Sequence, residues 1–377
     1  MIRQQIRFCT SADGTRIAYA LSGSGPPLLL TTSWVSHLEY ATQMLPWNSW
    51  LEALSHEYTL LRYDTSGCGL SDRNVRSLDF EAAVADIEAV VRAAEFKHFS
   101  ILGLCSGGPA AIVYAVRHPQ QVADLVLYGT WGRGRFKRPD LPHEGEKGRL
   151  MLDLARVGWG QEGHAFLRAW ASVFQPGGTP EHMRGWCTVQ KASTDAGTAV
   201  ELLRTSAEVD VLFTAARLRC PTLIMHAERD AVAPVHEGRL LAAKIPGARY
   251  VQLDSDNHIL LAEESAWTRF LAEMRAFVLE GDEGADRTLF NDRLVSLTQR
   301  ELQVLEGVAR GLTNSQIAGE LHVAEKTVRN NVSHILEKLS VPTRPRAIVL
   351  AREAGLGKGA TTGPASRPSG AAGTAVS

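Results

Sequence analysis

The spacing of apolar positions changes character along the chain. From residue 5 to 30 it alternates as two short strands around an Asp13-Gly14 turn, followed by a Gly- and Pro-rich loop from Ser22 to Pro27. Short apolar runs then recur at 58–63, 98–103, 122–128, 221–226 and 248–253 and read as strands. Between them, at 79–95, 108–118, 235–244 and 262–279, apolar residues fall at helical spacing. Strands that alternate with helices predict an α/β fold with a doubly wound, mostly parallel sheet. The stretch 132–215 is mainly helical in pattern, carries Trp159, Trp170 and Trp186, and is too long for a simple crossover. It predicts an inserted helical cap.

Residues 281–291 are acidic, contain glycine and have no period, so a linker is expected there. From 292 to 356 the pattern is helical only. Residues 357–377 are Gly, Ala, Ser, Thr and Pro with almost no large apolar side chain, and should form a disordered tail. The expected division is therefore a large α/β domain at 1–280 and a small all-α domain at 292–356.

Composition narrows the function classes. Apolar residues make up 45% and charged residues 21% of the 377, as in an ordinary globular protein, and the formal net charge is −1. The chain as a whole is thus no polybasic or polyacidic binder. The balance is local: residues 291–377 hold 11 Lys and Arg against 7 Asp and Glu, while the remainder holds 29 against 34. That asymmetry suits a nucleic-acid module on an acidic body. The apolar run Leu28-Leu29-Leu30 is too short for a signal or a membrane span. Cys9, Cys68, Cys105, Cys187 and Cys220 are scattered, with no CxxC pair. A zinc site or disulfide framework is not expected, and a cytoplasmic location is.

One cysteine stands out. After the strand at 98–103 comes Gly103-Leu104-Cys105-Ser106-Gly107-Gly108, and then a helical run. This is the G-x-nucleophile-x-G pattern of a sharp strand-to-helix turn, with cysteine in the nucleophile slot. Ser106 does not fill that slot, because the frame would need glycine at Leu104. Asp230 follows the strand at 221–226, and His258 follows the strand at 248–253. Cys105, Asp230 and His258 thus follow one another as a candidate nucleophile, an orienting carboxylate and a proton-accepting imidazole. A blander reading keeps Cys105 as a small buried residue in a retired site. Cys9, Cys68, Cys187 and Cys220 read as core or turn residues, and His226 as a support of the acid loop. Trp131 and the three cap tryptophans are candidates to line an apolar pocket or simply to pack the cap.

Residues 1–280 resemble an α/β-hydrolase. Beyond the elbow, the resemblance rests on Asp13-Gly14-Thr15 and on the Tyr63–Asp72 segment with Asp64, Gly67, Gly69, Ser71 and Asp72. It implies a catalytic set of Cys105, Asp230 and His258. It also implies an oxyanion hole from the backbone N–H groups of Ser106 and Trp34. Where the family usually has His-Gly or Pro-Gly before that second donor, this chain has Thr32-Ser33.

The C-terminal region carries a second constellation. Thr298 with Glu301, and Thr313 with Gln316, are capping boxes that open two helices, and Gly311 stops the first. After a short turn, Val328, Val332, Ile335 and Leu339 form one apolar stripe of a third helix. Lys326, Asn330, Ser333 and Glu337 stand opposite, with Arg329 at the flank. Arg suits guanine, Asn suits adenine and Ser can donate or accept, so this face has the chemistry for the major groove. A fourth helix is expected at about 343–354.

Residues 295–356 resemble the C-terminal DNA-binding domain of LuxR-type regulators, on the Leu297-Thr298-x-Arg300-Glu301, Ile317-Ala318 and Lys326-Thr327-Val328 motifs and the spacing to Lys338 and Arg344. The resemblance implies base contacts from Arg329, Asn330 and Ser333. It implies phosphate contacts from Lys326, Thr327 and Lys338, and a homodimer on two half-sites of double-stranded DNA. Ala324 replaces the usual Ser cap, and Asn331 stands where His is common.

Two functions fit the pair of domains. One is a transcriptional regulator whose hydrolase-like domain binds a small apolar ester, lactone or acyl ligand near Cys105. The other is a cytosolic Cys-His-Asp esterase or lactonase with an accessory DNA-binding domain. No metal, flavin or nucleotide motif is present, so no cofactor is expected.

Overall fold

The computed structural model describes residues 2–31, 34–159, 165–339, 341 and 343–357, with the backbone alone described at 279–289, 291 and 292. The Thr32-Ser33 departure and nearly all of the expected tail lie outside the described residues.

The Asp13-Gly14 turn opens the sheet. Asp13 accepts from the Thr15 backbone N–H at 2.9 Å, and Gly14 takes φ +93°, a region open to glycine at little cost. Strand β1 (Gln4–Thr10) thereby folds back on β2 (Arg16–Ser22). The remaining strands are β3 (Pro27–Leu30), β4 (Thr59–Tyr63), β5 (Phe99–Leu104), β6 (Val122–Tyr128), β7 (Thr222–Ala227) and β8 (Arg249–Leu253). The sheet order is β1-β2-β4-β3-β5-β6-β7-β8. The β1–β2 and β2–β4 pairs are antiparallel and the rest parallel. β5 is buried along its full length, as a central strand covered on both faces must be.

Helices cover the sheet and build the cap. Before β4 come α1 (Leu38–Ala41) and α2 (Trp47–Glu57), which the periodicity analysis did not anticipate. Aromatic packing places α2: Trp50 is fully buried and donates through Nε1 to the Leu260 carbonyl at 2.9 Å. α3 (Phe80–Ala93) and α4 (Gly107–Arg117) flank β5 in sequence. The cap follows β6 as α5 (Glu144–Gly158), α6 (Ala165–Phe174), α7 (Pro180–Ser193), α8 (Ala196–Glu208) and α9 (Leu212–Ala215), within the expected 132–215. α10 (Val235–Lys244) links β7 to β8.

α11 (Ser265–Leu294) corrects one expectation. Its backbone is helical across 281–291, where an aperiodic linker was expected. Ala, Glu, Arg and Leu favour a helix strongly enough to absorb Gly281 and Gly284, each of which weakens it by about 1 kcal/mol. The chain divides into compact units at Gly281/Asp282. The second unit holds α12 (Gln299–Ala309), α13 (Asn314–Leu321), α14 (Glu325–Lys338) and α15 (Arg344–Glu353). Its own core includes Phe290, Val304, Leu305, Ile317, Val328, Ile335 and Leu350. Among the described residues, no helix is long and apolar enough to cross a membrane.

Candidate functional sites in the two units

Cys105 sits in the turn between β5 and α4 with φ +51°, a left-handed conformation that costs a non-glycine residue about 1–2 kcal/mol. The surroundings enforce it. Cys105 N–H donates to the Tyr128 carbonyl at 3.1 Å. The Cys105 carbonyl accepts from Thr130 Oγ1 at 2.6 Å and from Gly108 N–H at 3.2 Å. Gly108 must be glycine, since a Cβ there would lie 2.0 Å from Thr130 Oγ1. The elbow is therefore tight against Thr130. The neighbouring Asp64 loop is pinned in turn: buried Asp64 accepts from Leu70 N–H at 2.9 Å and Leu38 N–H at 3.1 Å.

β7 and β8 bring the other two members together. His258 Nδ1 and Asp230 Oδ2 are 2.6 Å apart, and both side chains are shut off from solvent. The other Asp230 oxygen accepts from Val232 N–H and Ala233 N–H, each at 2.8 Å. His226, on β7, donates from Nε2 to the Ala233 carbonyl, 2.8 Å away, and so braces the same turn, as expected. The cap contributes Phe174, whose carbonyl accepts from His258 N–H at 2.8 Å and whose ring stands edge-on to the imidazole at 5.2 Å.

Burial alone would disfavour a charged imidazole. The Asp230 carboxylate and Cys105 outweigh it and hold His258 well above the usual histidine range. Burial likewise opposes ionisation of Asp230, yet His258, His226 and the Ala233 N–H keep it below its usual value. Nε2 of His258 is buried, and Cys105 is among the groups that raise the imidazole. Asp230 and His258 thus form a pair, with Cys105 near enough to act on the imidazole. Such a set can move a proton from thiol to imidazole and stabilise the resulting imidazolium.

A pocket opens beside Cys105. Trp34 and Ser106, the expected oxyanion donors, both border it. Of the tryptophans considered, Trp131 and Trp170 line the cavity. Trp159 and Trp186 do not. Trp159 packs edge-on against Trp34 at 5.4 Å and donates to the Thr194 carbonyl at 2.9 Å. Trp186 stacks with Trp47 at 5.5 Å. Each spends its ring on cap packing. Two arginines that the motif analysis missed, Arg135 and Arg138, also line the cavity. The signal was available in Arg133-Gly134-Arg135-Phe136-Lys137-Arg138, a basic run directly after β6.

In the C-terminal unit both capping boxes form: Thr298 with Glu301, and Thr313 with Gln316. His322 closes α13 in the left-handed region at φ +53°, the tight turn that separates α13 from α14. α14 buries Val328 and Ile335 and half-buries Val332, and Leu339 is buried at its C-cap, as the stripe predicted. Lys326, Thr327, Arg329, Asn330 and Ser333 are all exposed on it. Ala324 caps the helix without a side-chain hydrogen bond. Lys338 departs from expectation. Its ammonium donates to Glu301 at 2.8 Å, bracing α14 against the capping box of α12, so a phosphate would have to compete for it.

Comparison with known proteins follows the same division. Residues 26–163 match the α/β hydrolase fold family, and residues 295–351 match the bacterial regulatory proteins of the luxR family. The pyrrolizixenacetamide deacetylase of Xenorhabdus hominickii is 25% identical over 273 residues, covering 71% of this chain and 96% of that protein. A nitrate/nitrite response regulator protein homolog of Haemophilus influenzae is 45% identical over 65 residues, covering 17% of this chain and 31% of that protein. The crystal structure of an esterase from a Rhodococcus species aligns with TM-score 0.61 at 26% identity, covering 72% of this chain and 98% of that one.

Proposed function

The chain joins an α/β-hydrolase domain to a C-terminal LuxR-type domain, and from that pairing we propose that it is a DNA-binding transcriptional regulator controlled by a small acyl ligand held beside Cys105. One observation carries the proposal. The helix that buries Val328 and Ile335 leaves Lys326, Thr327, Arg329, Asn330 and Ser333 exposed, in a chain that also holds a pocket beside Cys105. An enzyme has no need of such a helix.

On this reading α14 enters the major groove. Arg329, Asn330 and Ser333 meet base edges, while Lys326 and Thr327 meet phosphates. Two copies bind two half-sites. In the cavity, the thiol of Cys105 passes its proton to His258 as sulfur adds to the ligand carbonyl. The oxyanion is received by the N–H groups of Ser106 and Trp34, and Asp230 balances the imidazolium. The carbon–oxygen bond then breaks, and the alcohol leaves with the proton from His258. A thioester on Cys105 remains until water removes it. Bound ligand, or the thioester, favours one of two states of the protein and so shifts DNA affinity, which requires a differential affinity for those states.

The test is selection from a randomised duplex pool. The wild-type protein enriches one sequence, and the double substitution Arg329→Ala, Asn330→Ala enriches none while remaining folded. Equal enrichment of the same sequence by the double variant overturns the base-reading assignment.

A second reading, a Cys-dependent esterase, is favoured by the intact 2.6 Å pair of His258 and Asp230, which a retired site would have no need to keep. It predicts sustained alcohol release from aryl esters, abolished by Cys105→Ala and by His258→Ala. A single equivalent followed by a stall fits the acyl-sensor reading instead.

A further inference from the structure

The wall of the Cys105 cavity is chemically one-sided. Among the described residues, the charged ones that line it are Arg135 and Arg138, and no carboxylate does. The two guanidinium groups lie side by side, because both donate to the same oxygen, Glu144 Oε2, at 2.9 and 2.8 Å. Arg138 is packed over the Trp131 ring at 5.6 Å, and its side chain is 1% exposed. Its Nε donates to the Arg133 carbonyl, and Arg135 Nη2 donates to the Val232 carbonyl.

At hydrogen-bond distance Arg135 and Arg138 share the one carboxylate of Glu144, which the exposed Lys147 also reaches. Arg138 Nε lies 3.9 Å from Glu237 Oε2, which Arg133 does not occupy. Two guanidinium groups that share one carboxylate beside low-dielectric walls attract a further anion more strongly than they would in water. The uncharged donors agree. Trp34, Trp131 and Trp170 all line the cavity, and the indole N–H of each is buried without an acceptor. A buried donor without a partner costs about 1–3 kcal/mol, which a ligand oxygen would recover.

We propose that the cavity selects an acyl compound whose chain ends in a carboxylate, a half-ester of a dicarboxylic acid, with that carboxylate held by the Arg135–Arg138 pair and the ester carbonyl at Cys105. This rests on the reading of the cavity as the ligand site and adds the class of ligand.

Three probes of one chain length separate the possibilities: monomethyl suberate, dimethyl suberate and methyl octanoate. Each is titrated into the full chain at neutral pH, with intrinsic tryptophan fluorescence as readout, since three tryptophans border the cavity. Monomethyl suberate is expected to bind at least tenfold more tightly than the other two. The advantage should vanish in Arg135→Gln, a variant in which Glu144 keeps Arg138 and Lys147 as partners. Equal binding of monomethyl and dimethyl suberate overturns selection for the charge. Equal binding of methyl octanoate overturns any recognition of the far end, while the cavity stands as an apolar ligand site. If none of the three binds, both the inference and the acyl-ligand reading fail. The wild-type ranking decides the matter even if Arg135→Gln does not fold.

Discussion

Asp230 Oδ2 lies 2.6 Å from His258 Nδ1 although the two residues stand on turns after different strands, β7 and β8. Parallel pairing of those strands, with His226 opposite Gln252 and Ala227 opposite Leu253, sets both turns at one end of the sheet. The same end carries the β5 elbow and therefore Cys105.

The pair should govern stability at both ends of the pH scale. Asp230 is held below its usual value, so its contribution is complete above the ordinary carboxylate range and is lost as pH falls through its lowered pKa. His258 is held above its usual value, so its contribution is complete below the ordinary imidazole range and is lost as pH rises through its raised pKa. Melting temperature across pH should therefore show a wild-type advantage over His258→Gln that peaks between the two ordinary ranges and shrinks on either side. A pH-independent difference contradicts the coupling.

Asp230→Asn should destabilise the protein by about 3 kcal/mol, because it leaves a buried imidazole without its counter-charge. Denaturant unfolding measures it. A loss below about 1 kcal/mol would mean that the imidazole is neutral in the folded chain.

The elbow makes a steric prediction. Cys105→Gly removes a left-handed non-glycine residue and should raise stability relative to Cys105→Ala by about 1 kcal/mol. Gly108→Ala should cost about 1–3 kcal/mol through the Thr130 contact. Denaturation midpoints compare the three, and a harmless Gly108→Ala contradicts the tight turn.

In the C-terminal unit, Ala324→Ser should add the missing cap to α14 and stabilise that unit by about 1 kcal/mol. Lys326→Ala should lower the salt dependence of DNA binding by close to one phosphate contact while leaving stability unchanged. Lys338→Ala should do the opposite, since its ammonium holds the Glu301 carboxyl down to about 2 within the protein. Titration against salt, alongside thermal melts, separates the two lysines.

What could be read from the sequence was local. The elbow at Gly103–Gly108, the capping boxes at Thr298 and Thr313, and the 328–339 stripe are each written in a few consecutive residues, because a turn or a helix is stabilised by neighbours within one or two turns. What could not be read depends on chain paths far apart in sequence. Arg138 lines the cavity because it packs over Trp131 and bonds Glu144. Lys338 meets Glu301 across 37 positions. Trp159 and Trp186 carry the same apolar signal as Trp170 but face Trp34 and Trp47 in the packing, not the cavity. Residues 281–291 lack an apolar stripe, yet their backbone is helical as part of α11, so periodicity was the wrong test for that segment.

The central claim is that occupancy of the Cys105 cavity alters DNA binding, and one measurement addresses it directly. The full chain is titrated with the duplex it selects, as wild type, as Cys105→Ala and as Cys105→Phe, in which the added ring fills the cavity beside Trp34 and Trp170. The account predicts that Cys105→Ala binds the duplex like wild type and that Cys105→Phe differs from both by at least fivefold, a coupling of about 1 kcal/mol. Identical affinity for all three folded proteins would contradict it.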